Sequence, residues 1–151
     1  MKLREVFEWW IALQEPPSRY ACTVLAEWTD SELHKEKLQH FASPTPDGKS
    51  EYFAYCQREK RNFLEVMKEF QINPDKVNFA HLIQIVGKQR PREYSIASFT
   101  PGHSVALTVA LTEYETKFKR QITGVCSRFF KNAEVGTTVP CWLKKGTMRF
   151  P

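Results

Sequence analysis

The chain changes from helical to β periodicity at Arg92-Glu93-Tyr94-Ser95-Ile96-Ala97-Ser98. An aromatic residue, a β-branched residue and alternation after Pro91 predict a strand over this stretch. Side chains of a strand alternate between its two faces, so we expect Arg92 and Tyr94 on one face and Ser95 on the other. A planar guanidinium beside an aromatic ring suits a ligand that carries both a phosphate and a flat ring.

The residues that follow keep the period of two. Residues 105–112 predict a long strand, and residues 138–143 with 148–150 predict a hairpin around Lys144-Lys145-Gly146. Between these strands, Gly124-Val125-Cys126-Ser127 predicts a glycine turn that opens a short helix.

The residues before Arg92 carry the 3.6-residue rhythm of amphipathic helices. Ser18 is predicted to cap the second helix, and Asp30 or Ser31 the third. The other predicted features are a first helix over residues 3–13 that ends at Pro16-Pro17, an exposed loop at 43–49, a helical segment at 52–70 that breaks near Gln57, and a short helix at 79–86.

Helices followed by strands predict an α+β fold, with the boundary between residues 88 and 89. Three or four strands are too few to close a barrel or to cover both faces of a sheet. We therefore expect the chain to be part of something larger.

The composition narrows the class of protein. The chain has 151 residues and a formal net charge of +5, but acids interrupt its basic clusters, as in Arg58-Glu59-Lys60-Arg61, which indicates a solvated helix face. A nucleic-acid partner would rest on net charge alone, and we expect none. No apolar run reaches the ~20 residues of a membrane span. The cysteines and histidines lack metal-ligand spacing, so we expect reduced thiols, no metal and a cytoplasmic protein.

Three segments, in this order, resemble the diflavin reductases of the ferredoxin reductase-like superfamily. They are Arg92-Glu93-Tyr94-Ser95, then Thr112-Glu113-Tyr114-Glu115-Thr116, then Gly124-Val125-Cys126-Ser127. Residues 32–38 and Tyr55-Cys56-Gln57-Arg58 are most similar to the NADPH-dependent diflavin oxidoreductase 1 family within that group. The resemblance covers nearly the whole chain. It implies a helical connecting subdomain at residues 1–88 and the C-terminal part of an antiparallel FAD-binding β-barrel at 89–151.

The resemblance also implies a cofactor, FAD, and a role for each matching residue. Arg92 would hold the pyrophosphate, Tyr94 would lie against the isoalloxazine ring, and Ser95 would sit near the reactive edge of the flavin. Tyr114 would stack on the adenine, and the turn at residues 124–127 would wrap the phosphates with its backbone N–H groups. Taken singly, Tyr94 could instead be a sheet aromatic, Arg92 a surface residue and the glycine a plain helix start.

Two positions depart from the pattern of the family. Lys60 stands where relatives often carry an arginine that faces FAD, and lysine keeps the charge but loses the planar fork. Phe129-Phe130 replaces the usual Trp-Leu, a change that concerns packing. The implied cofactor-binding set is Lys60, Arg92, Glu93, Tyr94, Ser95, Tyr114, Gly124, Val125, Cys126 and Ser127.

The implied function is the FAD-binding region of an enzyme that passes electrons from NADPH through FAD and FMN to an iron–sulfur protein of cytosolic iron–sulfur cluster assembly. FMN and NADPH would bind to parts of the parent enzyme beyond this chain, so we expect the fragment alone to be inactive and to contain no catalytic residue. The same region of a methionine synthase reductase or a microsomal cytochrome reductase is an alternative. A second alternative is a non-enzymatic helical interaction module.

Overall fold

The computed structural model describes residues 2–100, 102 and 104–146. Helices occupy the chain up to residue 85, and two small antiparallel sheets and one helix follow them. This is the α+β arrangement that the sequence predicts.

The second and third helices form where the sequence predicts them, whereas the first ends at Trp10 and not at Pro16-Pro17, because the extended backbone of Ile11 pairs with Lys88. α1 (Leu3–Glu5) continues as a π-helical turn at Val6–Trp10. α2 (Arg19–Trp28) begins after Ser18, whose Oγ accepts a hydrogen bond from the Ala21 N–H at 3.0 Å. α3 (Glu32–Ala42) begins after Ser31, whose Oγ accepts from the His34 N–H, so the serine rather than Asp30 is the cap.

The exposed loop predicted at residues 43–49 is wrong in its second half. α4 (Pro46–Tyr52) begins there, with Thr45 as its N-cap. The Thr45 hydroxyl accepts from the Gly48 N–H, and Pro46 occupies the first turn, where its missing N–H costs no hydrogen bond. The turn-forming residues therefore start a helix instead of extending a loop.

The break predicted near Gln57 is confirmed. α4 runs into a π-helical turn at Phe53–Gln57, and the next helix, α5 (Phe63–Glu69), begins only after a capping box between Asn62 and Glu65. A short 3₁₀ turn at Pro74–Lys76 leads to α6 (Phe79–Ile85).

The β half holds two hairpins and a helix. β1 (Ser95–Thr100) pairs with β2 (Ser104–Thr108), and β3 (Glu113–Glu115) pairs with β4 (Gln121–Thr123). α7 (Val125–Asn132) follows directly, as the glycine turn predicts.

Three strand predictions need correction. β1 begins at Ser95, opposite Thr108, and residues 92–94 pair with no strand in the described part of the chain, so Arg92 and Tyr94 are not on a strand face. The long strand predicted over residues 105–112 ends at Thr108, and the sequence analysis did not predict β4. Residues 138–143 form no strand, because β-prone composition needs a paired backbone, and the other half of that predicted hairpin, 148–150, lies outside the described residues.

The hydrophobic core lies in the helical half. Its fully buried side chains come from α2, α3, the π-helical turn and α5: Ala21, Cys22, Leu25, Ala26, Leu38, Phe41, Cys56 and Val66. The Arg19 guanidinium ties the end of α3 to α2 by donating to the carbonyls of Phe41, Ala42 and Ser43. No helix in the described ranges is long and apolar enough to cross a membrane.

Gly48 is buried at a point where no side chain fits. A Cβ there would lie inside contact distance of the His40 carbonyl oxygen and the Ser43 hydroxyl, whereas a Cβ on Gly87 would meet nothing within 4 Å. We expect Gly48→Ala to lower the free energy of unfolding by about 1–3 kcal/mol, since a backbone atom must shift. Gly87→Ala is the matched control and should leave stability unchanged or slightly raised. Urea denaturation measures both, and equal stabilities of the two variants would contradict the close approach of α3 and α4.

Candidate functional site

The start of α7 is fixed to the segment before β3 by two hydrogen bonds. The Gly124 N–H donates to the Thr112 carbonyl at 2.9 Å, and the Thr112 N–H donates to the buried Ser127 hydroxyl at 2.8 Å. Both backbone groups of Thr112 are thus used. This clamp sets the position of β3, which starts at Glu113.

The first turn of α7 presents backbone N–H groups without a side-chain cap. The N-cap is Gly124, and no side chain caps the helix among the residues that the structure describes. A Cβ on Gly124 would lie 3.1 Å from the Ser127 Oγ and 3.3 Å from the Thr112 Cβ, so a larger residue would crowd the clamp. The amides at residues 125–127 lie at the positive end of the helix dipole, which is an anion-binding arrangement.

Tyr94 lies against α7. Its ring meets that of Phe130 edge to face, with centroids 5.4 Å apart and planes at 89°. Burial, and after it the neighbouring Cys126 thiol, raises the pKa of Tyr94 above its ordinary value. With the clamp at Thr112, this contact brings all three segments that the sequence singles out together at α7. The contact with Phe130 fits the view that the Phe129-Phe130 pair concerns packing, because the two rings also pack on each other at 5.6 Å.

The other residues of the first segment face solvent. The Arg92 guanidinium is exposed, donates to the Arg90 carbonyl at 2.5 Å and lies 3.4 Å from the Glu15 carboxylate. Glu93 pairs with Lys144 at 2.6 Å, and Ser95 is the exposed first residue of β1. Within the described residues none of these three side chains hydrogen-bonds to α7, so their convergence on one ligand stays a prediction.

Tyr114 and Lys60 lie in two segments, β3 and the turn after Gln57, which meet at one buried group. Tyr114 sits in β3, opposite Ile122, with 42% of its surface exposed. Lys60 is exposed and has a left-handed backbone, with φ of 50°. The Tyr114 ring and the Lys60 charge are both open to a ligand, and the cofactor roles assigned to them stay predictions.

The junction between them is a buried carboxylate that sequence reasoning missed. Glu59 is fully buried, and its Oε2 accepts from the Thr116 hydroxyl at 2.6 Å and from the Phe118 N–H at 3.3 Å. Arg120 donates to the Glu59 carbonyl at 3.0 Å and to both carboxylate oxygens of Glu65 at 2.8 Å. The loop between β3 and β4 is thus fastened to the helical half at several points.

The interpretation of Arg58-Glu59-Lys60-Arg61 as a solvated helix face is wrong for Glu59. The alternation of charges indicates exposure only when no partner approaches, and here the partner comes from a loop 57 residues away. The hydrogen bond from Thr116 lowers the pKa of the Glu59 carboxyl below its ordinary value, against the opposing effect of burial. The amide of Phe118 and the charges of nearby arginines act in the same direction.

Comparison with known proteins places the chain in a sequence family. The model of the family described as "FAD binding domain" matches residues 1–129. The chain is similar to proteins named NADPH-dependent diflavin oxidoreductase 1, with 34% identity over 139 residues in Arabidopsis thaliana, 28% over 153 in Xenopus laevis and 29% over 154 in Danio rerio. These matches cover 89%, 99% and 99% of this chain, which spans 22%, 25% and 26% of the three relatives.

The buried carboxylate of Glu59 predicts a pH-dependent stability. Because its pKa in the folded chain lies below the ordinary 4.5, its stabilising contribution is complete above that pH and is lost as the pH falls through the lowered pKa. We expect Glu59→Gln to be less stable than the parent chain near pH 7, with the difference shrinking below about pH 4.5. Urea midpoints measured from pH 3 to 7 give this comparison.

The control is Glu134→Gln, which removes an exposed carboxylate. Its urea midpoints should parallel those of the parent chain throughout. A Glu59→Gln deficit that stays constant from pH 7 to pH 3 would show that the buried group is not ionised.

Proposed function

The chain belongs to the FAD binding domain family, and we propose that it forms the FAD-binding region of an NADPH-dependent diflavin oxidoreductase. The observation that carries the proposal is the uncapped first turn of α7, which is clamped to Thr112, together with the packing of Tyr94 on Phe130 of the same helix. An anion site beside a half-buried aromatic ring, with Tyr114 two residues beyond the clamp, suits a flavin dinucleotide. The names and coverage of the relatives support the enzyme class.

The residues around α7 fit the phosphates of FAD. The backbone N–H groups at residues 125–127 would bind the pyrophosphate, and Gly124 lets the chain approach because any Cβ would crowd Ser127 and Thr112. Arg92 would add a charge-assisted pair of hydrogen bonds, for which its exposed guanidinium needs only to leave the Arg90 carbonyl and the Glu15 carboxylate.

The aromatic side chains fit the two rings of FAD. Bound FAD would supply hydride acceptance from NADPH and onward transfer of single electrons. Tyr94, held edge-on by Phe130, would cover the isoalloxazine ring and exclude water from it, and Ser95 would donate a hydrogen bond near its reactive edge. Tyr114 would stack on the adenine, with Lys60 nearby as a positive charge.

We also propose that residues 89–151 belong to an antiparallel barrel and residues 1–88 to a connecting subdomain. The support is the exposure of apolar residues in the first hairpin, where Ile96, Val105 and Leu107 are 51%, 42% and 46% exposed. Further strands that covered these side chains would bury them as a barrel does.

The acceptor of the electrons follows from the family resemblance alone. We propose that the whole enzyme is cytoplasmic and passes electrons through FMN to an iron–sulfur protein of cytosolic iron–sulfur cluster assembly. The test is NADPH-dependent reduction of such a protein by the full-length enzyme. The loss of the visible absorbance of the iron–sulfur cluster measures this reduction. Reduction of a small dye without any reduction of the iron–sulfur protein would leave the diflavin activity and exclude this acceptor.

Arg92 provides the first test of the cofactor site. In the full-length enzyme, Arg92→Ala should weaken FAD binding by about 1.5–3 kcal/mol, as expected for one lost charge-assisted contact. The matched control is Arg90→Ala, which removes a neighbouring exposed arginine but keeps the backbone carbonyl that Arg92 contacts. Flavin fluorescence titration of the deflavinated proteins measures both affinities. A full-length protein that binds no FAD would refute the proposed function, and unchanged affinity in Arg92→Ala would refute the role of Arg92.

Tyr94 provides the second test. Tyr94→Ala should weaken FAD binding roughly tenfold at most, the value of an aromatic contact, and should slow NADPH-driven dye reduction. Tyr94→Phe keeps the ring and its contact with Phe130, so it should retain most of both properties. Tyr20→Ala, at an exposed tyrosine of α2, is the control for loss of a surface ring. Equal dye reduction by Tyr94→Ala and Tyr20→Ala would contradict the proposed position of the flavin.

A further inference from the structure

We propose that Glu59 is a positioning residue for the adenylate half of FAD: its buried carboxylate sets the distance between Lys60 and Tyr114. The inference rests on the proposed function, because these two residues are the candidate contacts for that half of the cofactor. Glu59 itself is fully buried and touches no ligand in this view.

One carboxylate is linked to both candidate contacts through one or two residues of the chain. Glu59 directly precedes Lys60, and its Oε2 accepts the hydroxyl hydrogen of Thr116, two residues after Tyr114, at 2.6 Å. The Phe118 N–H donates to the same oxygen at 3.3 Å. A shift of the carboxylate would therefore move Lys60 and Tyr114 relative to each other.

The loop that carries Thr116 is closed on itself, so the position of Glu59 is passed on to β3. The Thr116 N–H donates to the Arg120 carbonyl at 2.9 Å, and the Arg120 N–H donates back to the Thr116 hydroxyl at 3.2 Å. Arg120 then binds the Glu59 carbonyl and the Glu65 carboxylate. The whole turn between β3 and β4 is thus held against the helical half as a unit.

The backbone on both sides of the junction is held in an unusual conformation. Lys60 has φ of 50° and Lys119 has φ of 58°, in the left-handed region that side chains other than glycine disfavour. Such conformations persist only where the surrounding contacts hold them, and they concentrate at ligand sites. Both residues lie next to the contacts of Glu59, which directly precedes Lys60 and is hydrogen-bonded to Thr116 and Phe118 just before Lys119.

The chemistry of Glu59 points beyond a fastening role. Its Oε1 is buried and accepts no hydrogen bond among the described residues, and the nearest cation is the Arg58 Nε at 3.6 Å. A buried carboxylate with an unused acceptor is a poor choice for stability alone, because an amide or an apolar side chain would avoid the cost. The Glu59 carboxylate lies beside Arg58, while Arg120 pairs with Glu65 and Arg61 with Glu69. Lys60 is therefore the cation of this turn that has no acidic partner among the described residues and can face the ligand.

The test separates the two halves of FAD in the deflavinated full-length enzyme. FAD affinity is measured by fluorescence titration, and ADP affinity by competition with FAD. We expect Glu59→Gln and Thr116→Val each to weaken FAD and ADP by the same factor, about tenfold. Tyr94→Ala should weaken FAD and leave ADP unchanged, since that ring contacts only the flavin half. Glu115→Gln, which removes an exposed carboxylate from the same hairpin, is the matched control and should change neither affinity.

Circular dichroism at the temperature of the titrations, below the thermal unfolding midpoint of each variant, shows whether the variant is folded. A loss of affinity in a folded variant then cannot come from lost stability. If both variants are folded and bind ADP as the parent does, Glu59 is a structural fastener only and the inference is wrong. If Glu59→Gln does not fold, Thr116→Val, which keeps the carboxylate, decides between the same two outcomes. If the parent enzyme binds no FAD, the proposed function fails; if it binds FAD with the expected loss in Arg92→Ala but not in Glu59→Gln or Thr116→Val, the positioning role alone fails.

Discussion

The buried carboxylate of Glu59 joins the two halves of this chain. The helical half has its own apolar core, whereas the strands of the β half are short and largely exposed, so hydrophobic packing does little to hold one half to the other. The hydrogen bonds from Thr116 and Phe118 to Glu59, with Arg120 reaching back to Glu65, connect the halves at a buried site, and the exposed Arg92–Glu15 contact adds to them at the surface. Charge-assisted hydrogen bonds in a site closed to water are strong enough for this task, because little solvent competes for either partner.

The position of the start of α7 depends indirectly on the hydrogen bonds at Glu59. The loop after β3 is anchored at Glu59, and the segment before β3 is clamped by Gly124 and Ser127 through Thr112. β3 is therefore held at both ends, and the uncapped amides of α7 gain a defined position relative to Tyr114. In the proposed site, a dinucleotide would be bound without the glycine-rich strand–helix loop of nucleotide-binding α/β folds.

Whether a feature could be predicted from the sequence depends mainly on how far apart its interacting residues lie along the chain. The caps at Ser18 and Ser31, the break after Gln57 and the helix after Gly124 were all predictable, because each depends on residues within one or two turns. The strand expected to include Arg92 and Tyr94 was wrong, since a strand exists only where a second backbone pairs with it. The helix at residues 46–52 was missed for a different reason: proline is common both in turns and in the first turn of a helix, and the Thr45 cap decided between them.

The same distinction between local and distant interactions applies to the candidate site. The sequence by itself determined which groups are present: the guanidinium and ring of Arg92 and Tyr94, and the glycine that opens an anion-binding helix start. Only the tertiary structure decided that Tyr94 lies on Phe130, and that one acid within a run of alternating charges is buried against a loop 57 residues away. The physical reason is that backbone conformation and capping depend on adjacent residues, whereas burial of a charge depends on which distant groups reach it once loop closure has been achieved.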